Sequence, residues 1–168
     1  MQKFLRLALL LALAAAPAAL AQRKIGEVTI NIDKDKIPVH VSGATPELEA
    51  LALAAFGAHG RYKLVVSSGA YDIRFSPVTG TQVRVDITRG LTATQVASEI
   101  ATGSNLHHAL FRAADLAVEK TNGLGLRGFF TARLAFIGEG SGRKEIYTSD
   151  LFFSPGEVKK ITSDNALA

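Results

Sequence analysis

Short runs with an apolar residue at every second position, joined by turns too brief to hold a helix, constrain this chain more than any other feature. Residues 62–67 (YKLVVS) and 71–76 (YDIRFS) flank Ser68-Gly69-Ala70, and residues 83–88 (VRVDIT) follow the turn Pro77-Val78-Thr79-Gly80. A period of two is that of a half-buried strand, and loops of three or four residues containing Gly join strands as hairpins. The same period appears at Val28, Ile30 and Ile32, and at Ile37, Val39 and Val41, on either side of the charged turn Asp33-Lys34-Asp35-Lys36. Phe130, Ala132, Leu134 and Phe136 alternate in a further strand, and residues 144–151 return as its partner after the glycine-rich loop 138–142.

Three segments carry the helical period instead. Thr45 is a good N-cap, Pro46 fits the first helical position, and Glu47 and Glu49 suit the positive end of the dipole. Leu48, Leu51, Ala52 and Ala55 then share one face, and Gly57 can end the helix. Thr92 with Gln95 three residues on matches a capping box, with Val96 and Ile100 on one face of the helix it predicts. Ser104 is read as the cap of a longer helix in which Leu106, Ala109, Leu110, Ala113 and Ala117 recur, with Asn122-Gly123 as its stop. Strands joined by short turns, with helices between them, predict one α+β domain: a mixed, mostly antiparallel sheet with two or three helices on one face.

The N-terminus has another character. Lys3 and Arg6 precede an unbroken Leu/Ala run at residues 7–16, and Ala19-Leu20-Ala21 supplies the small-x-small pattern of a signal-peptidase site before Gln22. The run is short of the ~20 apolar residues a membrane span needs. Residues 1–21 are therefore expected to be a cleavable leader, and residues 22–155 the domain. Residues 156–168 lack regular patterning and read as a tail or linker. Lys3 and Arg6 account for half of the net charge of +4, so the exported part is only mildly basic. Its basic residues are scattered, which argues against nucleic-acid binding. No later segment is apolar enough to span a membrane, and with no cysteine the fold cannot rest on disulfides. A soluble protein that works outside the cytoplasm is the expectation.

Residues that could carry chemistry all have simpler explanations. Gly123-Leu124-Gly125-Leu126-Arg127-Gly128 matches G-x-G-x-x-G, but a dinucleotide site needs that motif between a strand and a following helix. Here a helix is expected before it and a strand after it. His107 and His108 are adjacent, so on a helix they point about 100° apart and cannot easily share a metal, which takes helical His pairs at i, i+4. Asp33 with Asp35 sits in a turn, and Glu47 with Glu49 opens a helix. Ser67 and Ser68 are turn residues without a nucleophile motif. Neither catalysis, cofactor nor metal is expected.

Residues 118–137 (VEKTNGLGLRGFFTARLAFI), ending in Phe130, Thr131, Arg133, Leu134, Ala135, Phe136 and Ile137, resemble the N-terminal domain of the TolB family. Glu119, Lys120, Gly123 and Gly128 fit the helix end and turn that precede that strand. Thr148-Ser149-Asp150 is similar to the family's strand ending in Ser-Asp. Glu27-Val28-Thr29-Ile30-Asn31-Ile32-Asp33 resembles its N-terminal recognition strand. The resemblance implies a periplasmic member of the Tol–Pal system, acting in envelope integrity, protein import and cell division through protein–protein contact. It also implies that a TolA-like partner is bound through residues 22–33. No S-P-D-G propeller-blade signature is present, so contact with the lipoprotein Pal is not expected. Residues 45–88 look shorter than the family's. The alternative reading is a periplasmic small-ligand-binding protein or an enzyme of unknown type. If the leader is read correctly, the intact mass of the exported protein will match a chain beginning at Gln22, and an uncut mass would refute it.

Overall fold

Ile37–Gly43 (β1) is an inner strand of the larger sheet, with a parallel neighbour on each side. The structure is a computed structural model that describes residues 36–90, 92–122, 128–140, 143–154 and 156–163. All of these fall in the unit Asp33–Ala168. The leader with Ala19, Ala21 and Gln22, the strand expected at residues 27–32, and Gly123 lie outside the described residues.

After β1 come helix α1 (Pro46–Ala58) and the short strand β2 (Tyr62–Leu64). Next are β3 (Tyr71–Thr79), β4 (Gln82–Arg89) and β5 (Thr94–Thr102). Helix α2 (Leu106–Asn122) then leads to β6 (Arg133–Gly140), β7 (Arg143–Asp150) and β8 (Lys159–Lys160). One sheet has the order β2-β1-β3-β4-β5 and a second β6-β7-β8. β1 is parallel to β2 and β3, and every other pairing is antiparallel. The α+β expectation holds, with two helices among the described residues. None of these is long and apolar enough to cross a membrane.

Alternation puts Val39, Val41, Ile73, Phe75, Val83, Val85 and Ile87 on one face of the large sheet, all buried. The helices cover that face with Leu48, Ala52, Ala55 and Phe56 from α1, and Leu110, Ala113, Ala114, Ala117 and Val118 from α2. Thr45 caps α1 as expected, its hydroxyl accepting the Leu48 N–H at 3.3 Å. Phe56 is the hub of the core, with ring centroids 5.1 Å from Tyr62, 5.4 Å from Phe130 and 6.1 Å from Phe75. Fully burying one such ring stabilises the fold by roughly 1.5–3 kcal/mol.

Four expectations are corrected. Residues 92–100 form no helix: β5 pairs with β4 from Thr94 to Thr102. Val96 and Ile100 misled because a spacing of four satisfies both periods, and Ala93 takes a left-handed φ of 50° that no helix start uses. Residues 62–67 and 71–76 are not a hairpin. β2 and β3 both run parallel to β1 on opposite sides of it, and the connection crosses β1. Val65 N–H bonds Val39 O at 3.0 Å and Ala70 N–H bonds Pro38 O at 2.8 Å. Gly69 serves that crossing, since a Cβ there would lie 2.5 Å from Pro38 O. Thirdly, the alternation starting at Phe130 begins three residues too early, because β6 starts at Arg133. Lastly, part of the stretch read as a tail packs on the domain. β8 pairs with β7, Ile161 N–H bonds Ile146 O at 2.8 Å, and Thr162 donates to the buried Glu145 carboxylate at 2.6 Å.

His59, just after α1, is buried among Tyr62, Phe129 and Phe130 at centroid distances of 5.0, 4.6 and 5.6 Å. Its Nδ1 accepts from Arg61 N–H at 3.3 Å, and Nε2 has no hydrogen-bond partner among the described residues. Burial lowers its pKa below 6.5, outweighing its backbone hydrogen bond and the Asp115 charge, which both favour the cation. Below pH 6.5 the unfolded chain therefore binds the proton that the folded chain resists, and stability falls with pH until the lowered pKa is passed. Urea titrations should give a lower midpoint at pH 5.5 than at pH 7.5, and His59→Asn should flatten that slope. An unchanged slope in the variant would place the dependence elsewhere.

Candidate functional site

Four residues of the Phe130-to-Asp150 motif converge where the two sheets meet. Phe130 is fully buried against α1 and α2. Its turn is held by Asp115 of α2. One carboxylate oxygen accepts Phe130 N–H at 2.8 Å, and the other accepts Thr131 N–H at 3.1 Å and the Thr131 hydroxyl at 2.7 Å. Gly128 enters this turn at φ +69°, in the left-handed region where glycine is favoured. It follows α2, so the G-x-G-x-x-G stretch has the helix on the wrong side for a dinucleotide site.

Arg133 opens β6 and pairs in register with Asp150, which closes β7. Arg133 donates to Glu157 through Nη1 to Oε2 at 3.2 Å and through Nη2 to the backbone carbonyl at 3.4 Å. The other Glu157 carboxylate oxygen accepts from Asn105 Nδ2 at 3.4 Å, so one side chain links the start of α2 to the small sheet. Asp150 Oδ1 accepts the N–H groups of Phe152 at 3.1 Å and Ser154 at 2.9 Å. They flank Phe153, whose φ of +50° is strained for a non-glycine residue. Burial works to raise the Asp150 pKa, but the hydrogen bonds from Ser154 and Phe152 and the Arg133 charge outweigh it and hold it below 3.8.

The start of α2 forms the third wall. Its cap is Asn105, not Ser104: the Asn105 side chain accepts His108 N–H at 2.8 Å. His108 reaches back, with Nδ1 3.2 Å from Ser104 N and 3.0 Å from its hydroxyl. The contact falls one residue short of a capping box, since His108 takes the N–H of the residue before the cap and not that of the cap itself. Gly103 allows the close packing, as a Cβ there would lie 2.2 Å from Ala109 N. His107 Nε2 meets Glu47 Oε1 at 3.1 Å and joins the first turns of both helices.

Between these walls lies a cleft of about 220 Å³. Phe111 and Phe130 form its apolar lining, Arg133, Lys159, Asp150 and Glu157 form its charged rim, and His107 stands beside them. It is smaller than the roughly 300–1,000 Å³ of sites for drug-sized ligands, and Arg133, Glu157 and Asp150 on its rim are engaged within the protein. Among the described residues, no three His, Cys, Asp or Glu side chains are grouped to hold a metal. The structure thus brings Gly128, Phe130, Thr131, Arg133 and Asp150 into one region. Asp115 and Glu157, which organise it, carried no sequence signal, because their partners lie 15 or more residues away. The candidate recognition strand Glu27, Val28, Thr29, Ile30, Asn31, Ile32 and Asp33 lies outside the described residues, as does Gly123.

Asp115→Ala leaves two backbone N–H groups at the Phe130 turn without their acceptor. Hydrogen bonds to a charged group contribute about 1.5–3 kcal/mol each, so the variant should lose about 3–6 kcal/mol in urea denaturation. A loss within error of zero would show that Phe130 packing alone holds the turn.

No protein-family model and no curated protein matches the sequence. Among solved structures, the chain is similar to TolB from Acinetobacter baumannii, with a TM-score of 0.62 and 12% identity over 77% of this chain. The match covers 39% of that protein, so this chain corresponds to well under half of its length. At that identity the likeness is one of fold: the domain is TolB-like.

Proposed function

We propose that this chain is an exported, non-enzymatic protein of the cell envelope that works by protein–protein contact, as the first domain of TolB does. The observation that carries the reading is the fold likeness to TolB over 77% of the chain. The motif residues fit it as structural anchors: Phe130 as a buried plug, Thr131 on Asp115, Arg133 on Glu157, and Asp150 as a turn clamp. The leader read before Gln22 fits export to the periplasm, and the alternating segment Glu27–Asp33 is the recognition element of this proposal. An extended strand with apolar residues at every second position can add to an exposed sheet edge of a partner. By resemblance that partner is TolA-like, and the setting is the Tol–Pal system with its roles in envelope integrity, import and division.

Photo-crosslinking amino acids at Val28 and Ile30 should capture a TolA-like envelope protein in living cells, and deletion of residues 22–33 should abolish binding of that protein in vitro. Equal binding by the deleted and the intact chain would remove the segment from the mechanism. No captured envelope protein with either probe would overturn the reading.

A further inference from the structure

β5 is the outer strand of the large sheet, and among the described residues no strand lies on its far side. Natural edges are commonly blunted by Lys, Pro, a bulge or an inward-pointing charge; the inward charge of β5, Glu99, is neutralised by Lys120 at 2.8 Å. β5 contains no Lys or Pro, and its one irregularity is near its start, where the pairing with β4 slips between Ile87 and Thr88. The regular edge is therefore residues 97–102. Gly103 spends its N–H on Thr81 O, on the β4 side. With a period of two, Ser98, Ile100 and Thr102 must turn their N–H and C=O groups outward. Arg112 of α2 agrees with this, since its Nη1 reaches Thr102 O at 2.9 Å. The middle of this ladder is Ile100, 49% exposed on the face away from the helices.

We infer that this edge pairs with the same edge of a second copy of the chain, antiparallel, with Ile100 at the two-fold axis. In that register Ile100 meets its counterpart. Ser98 lies opposite Thr102 of the second copy, and Glu99 lies opposite its Ala101. The charges select this arrangement. Ala101, Arg112 and Leu116, with Asp115, Gly128 and Thr131, line a groove of about 290 Å³ along the edge. The Asp115 carboxylate is already taken by three donors of the Phe130–Thr131 turn, and a side chain opposite Ala101 enters the groove beside Arg112. Glu99 of each copy therefore meets Arg112 of the other, twice in the dimer, while its own Lys120 stays at 2.8 Å. No like charges face each other across the strands. Moving the axis to Ser98 would separate Glu99 from Arg112 and run the ladder into the irregularity beside Ile87. The contact is isologous and closed, so it gives dimers and not fibres.

Nine residues a side fall well below the ~20–30 of a standard interface, so the full chain should sediment as a concentration-dependent mixture of monomer and dimer. The sequence has no cysteine, which makes cross-linking clean. Ile100→Cys should form a disulfide-linked dimer on mild oxidation, because facing Cα atoms in such a pair are ~5.5 Å apart. Ser98→Cys should not, because its two copies stand four residues apart along the strands, at ~14 Å. Ile100→Lys should raise the dissociation constant at least about tenfold with an unchanged melting temperature. Arg112→Glu should weaken the dimer, and adding Glu99→Arg should restore it. A chain that stays monomeric into the millimolar range overturns the inference, as does a dimer that ignores Ile100→Lys or cross-links at Ser98.

Discussion

The Asp115 carboxylate, taking three donors from the Phe130–Thr131 turn, is the interaction on which the arrangement of the two sheets depends. It fixes the chain where it leaves the helical layer, and so sets where Arg133 begins β6. Phe130 then seals the far side of the helices against Phe56 and His59. A carboxylate bonded by backbone N–H groups is strongly directional, whereas ring packing alone would tolerate several orientations of the hairpin. From that point, Arg133 and Glu157 bring the end of the chain back to the cap of α2. One buried ring and two carboxylates thus join elements that are distant in sequence.

The large sheet depends on a different constraint, the close approach of backbones. The crossing of β1 by residues 65–70 requires Gly69 over Pro38, and the start of α2 requires Gly103 under Ala109. Both glycines were visible in the sequence, but their reasons were not. A Gly between two alternating runs looks like a hairpin turn whether it reverses the chain or lets it pass over a neighbour. Only the parallel register of β2 and β3 on β1 separates the two.

Legibility followed the range of the interactions. α1 was readable down to its cap, because Thr45, Pro46 and the buried stripe act within one turn of one another. α2 was readable in extent but misread at its cap, since Ser104 and Asn105 are equally good candidates until His108 chooses between them. β5 was lost because its faces are mixed: Glu99 points to the helices and is neutralised by Lys120, while Val96 and Ile100 point outward. A strand whose apolar residues lie on the solvent side gives no hydrophobic period of its own. The motif residues Phe130, Thr131, Arg133 and Asp150 were singled out by resemblance, and the structure supplies a physical role for each. Asp115 and Glu157 were beyond reach, as nothing local distinguishes them from surface carboxylates.

The reversal at β5 bears on what the surface is for. A helix at residues 92–100 would have closed that side of the sheet and turned Val96 and Ile100 inward. As a strand, the same residues leave a row of outward N–H and C=O groups beside an exposed isoleucine, next to Arg112. Backbone groups on an open edge are satisfied by water as well as by a strand, so the edge by itself contributes little preference. Direction comes from the side chains around it: Ile100 favours an apolar counterpart, and Arg112 favours a carboxylate one strand position from the axis. A chain whose Glu99 occupies that position already carries both halves of the match.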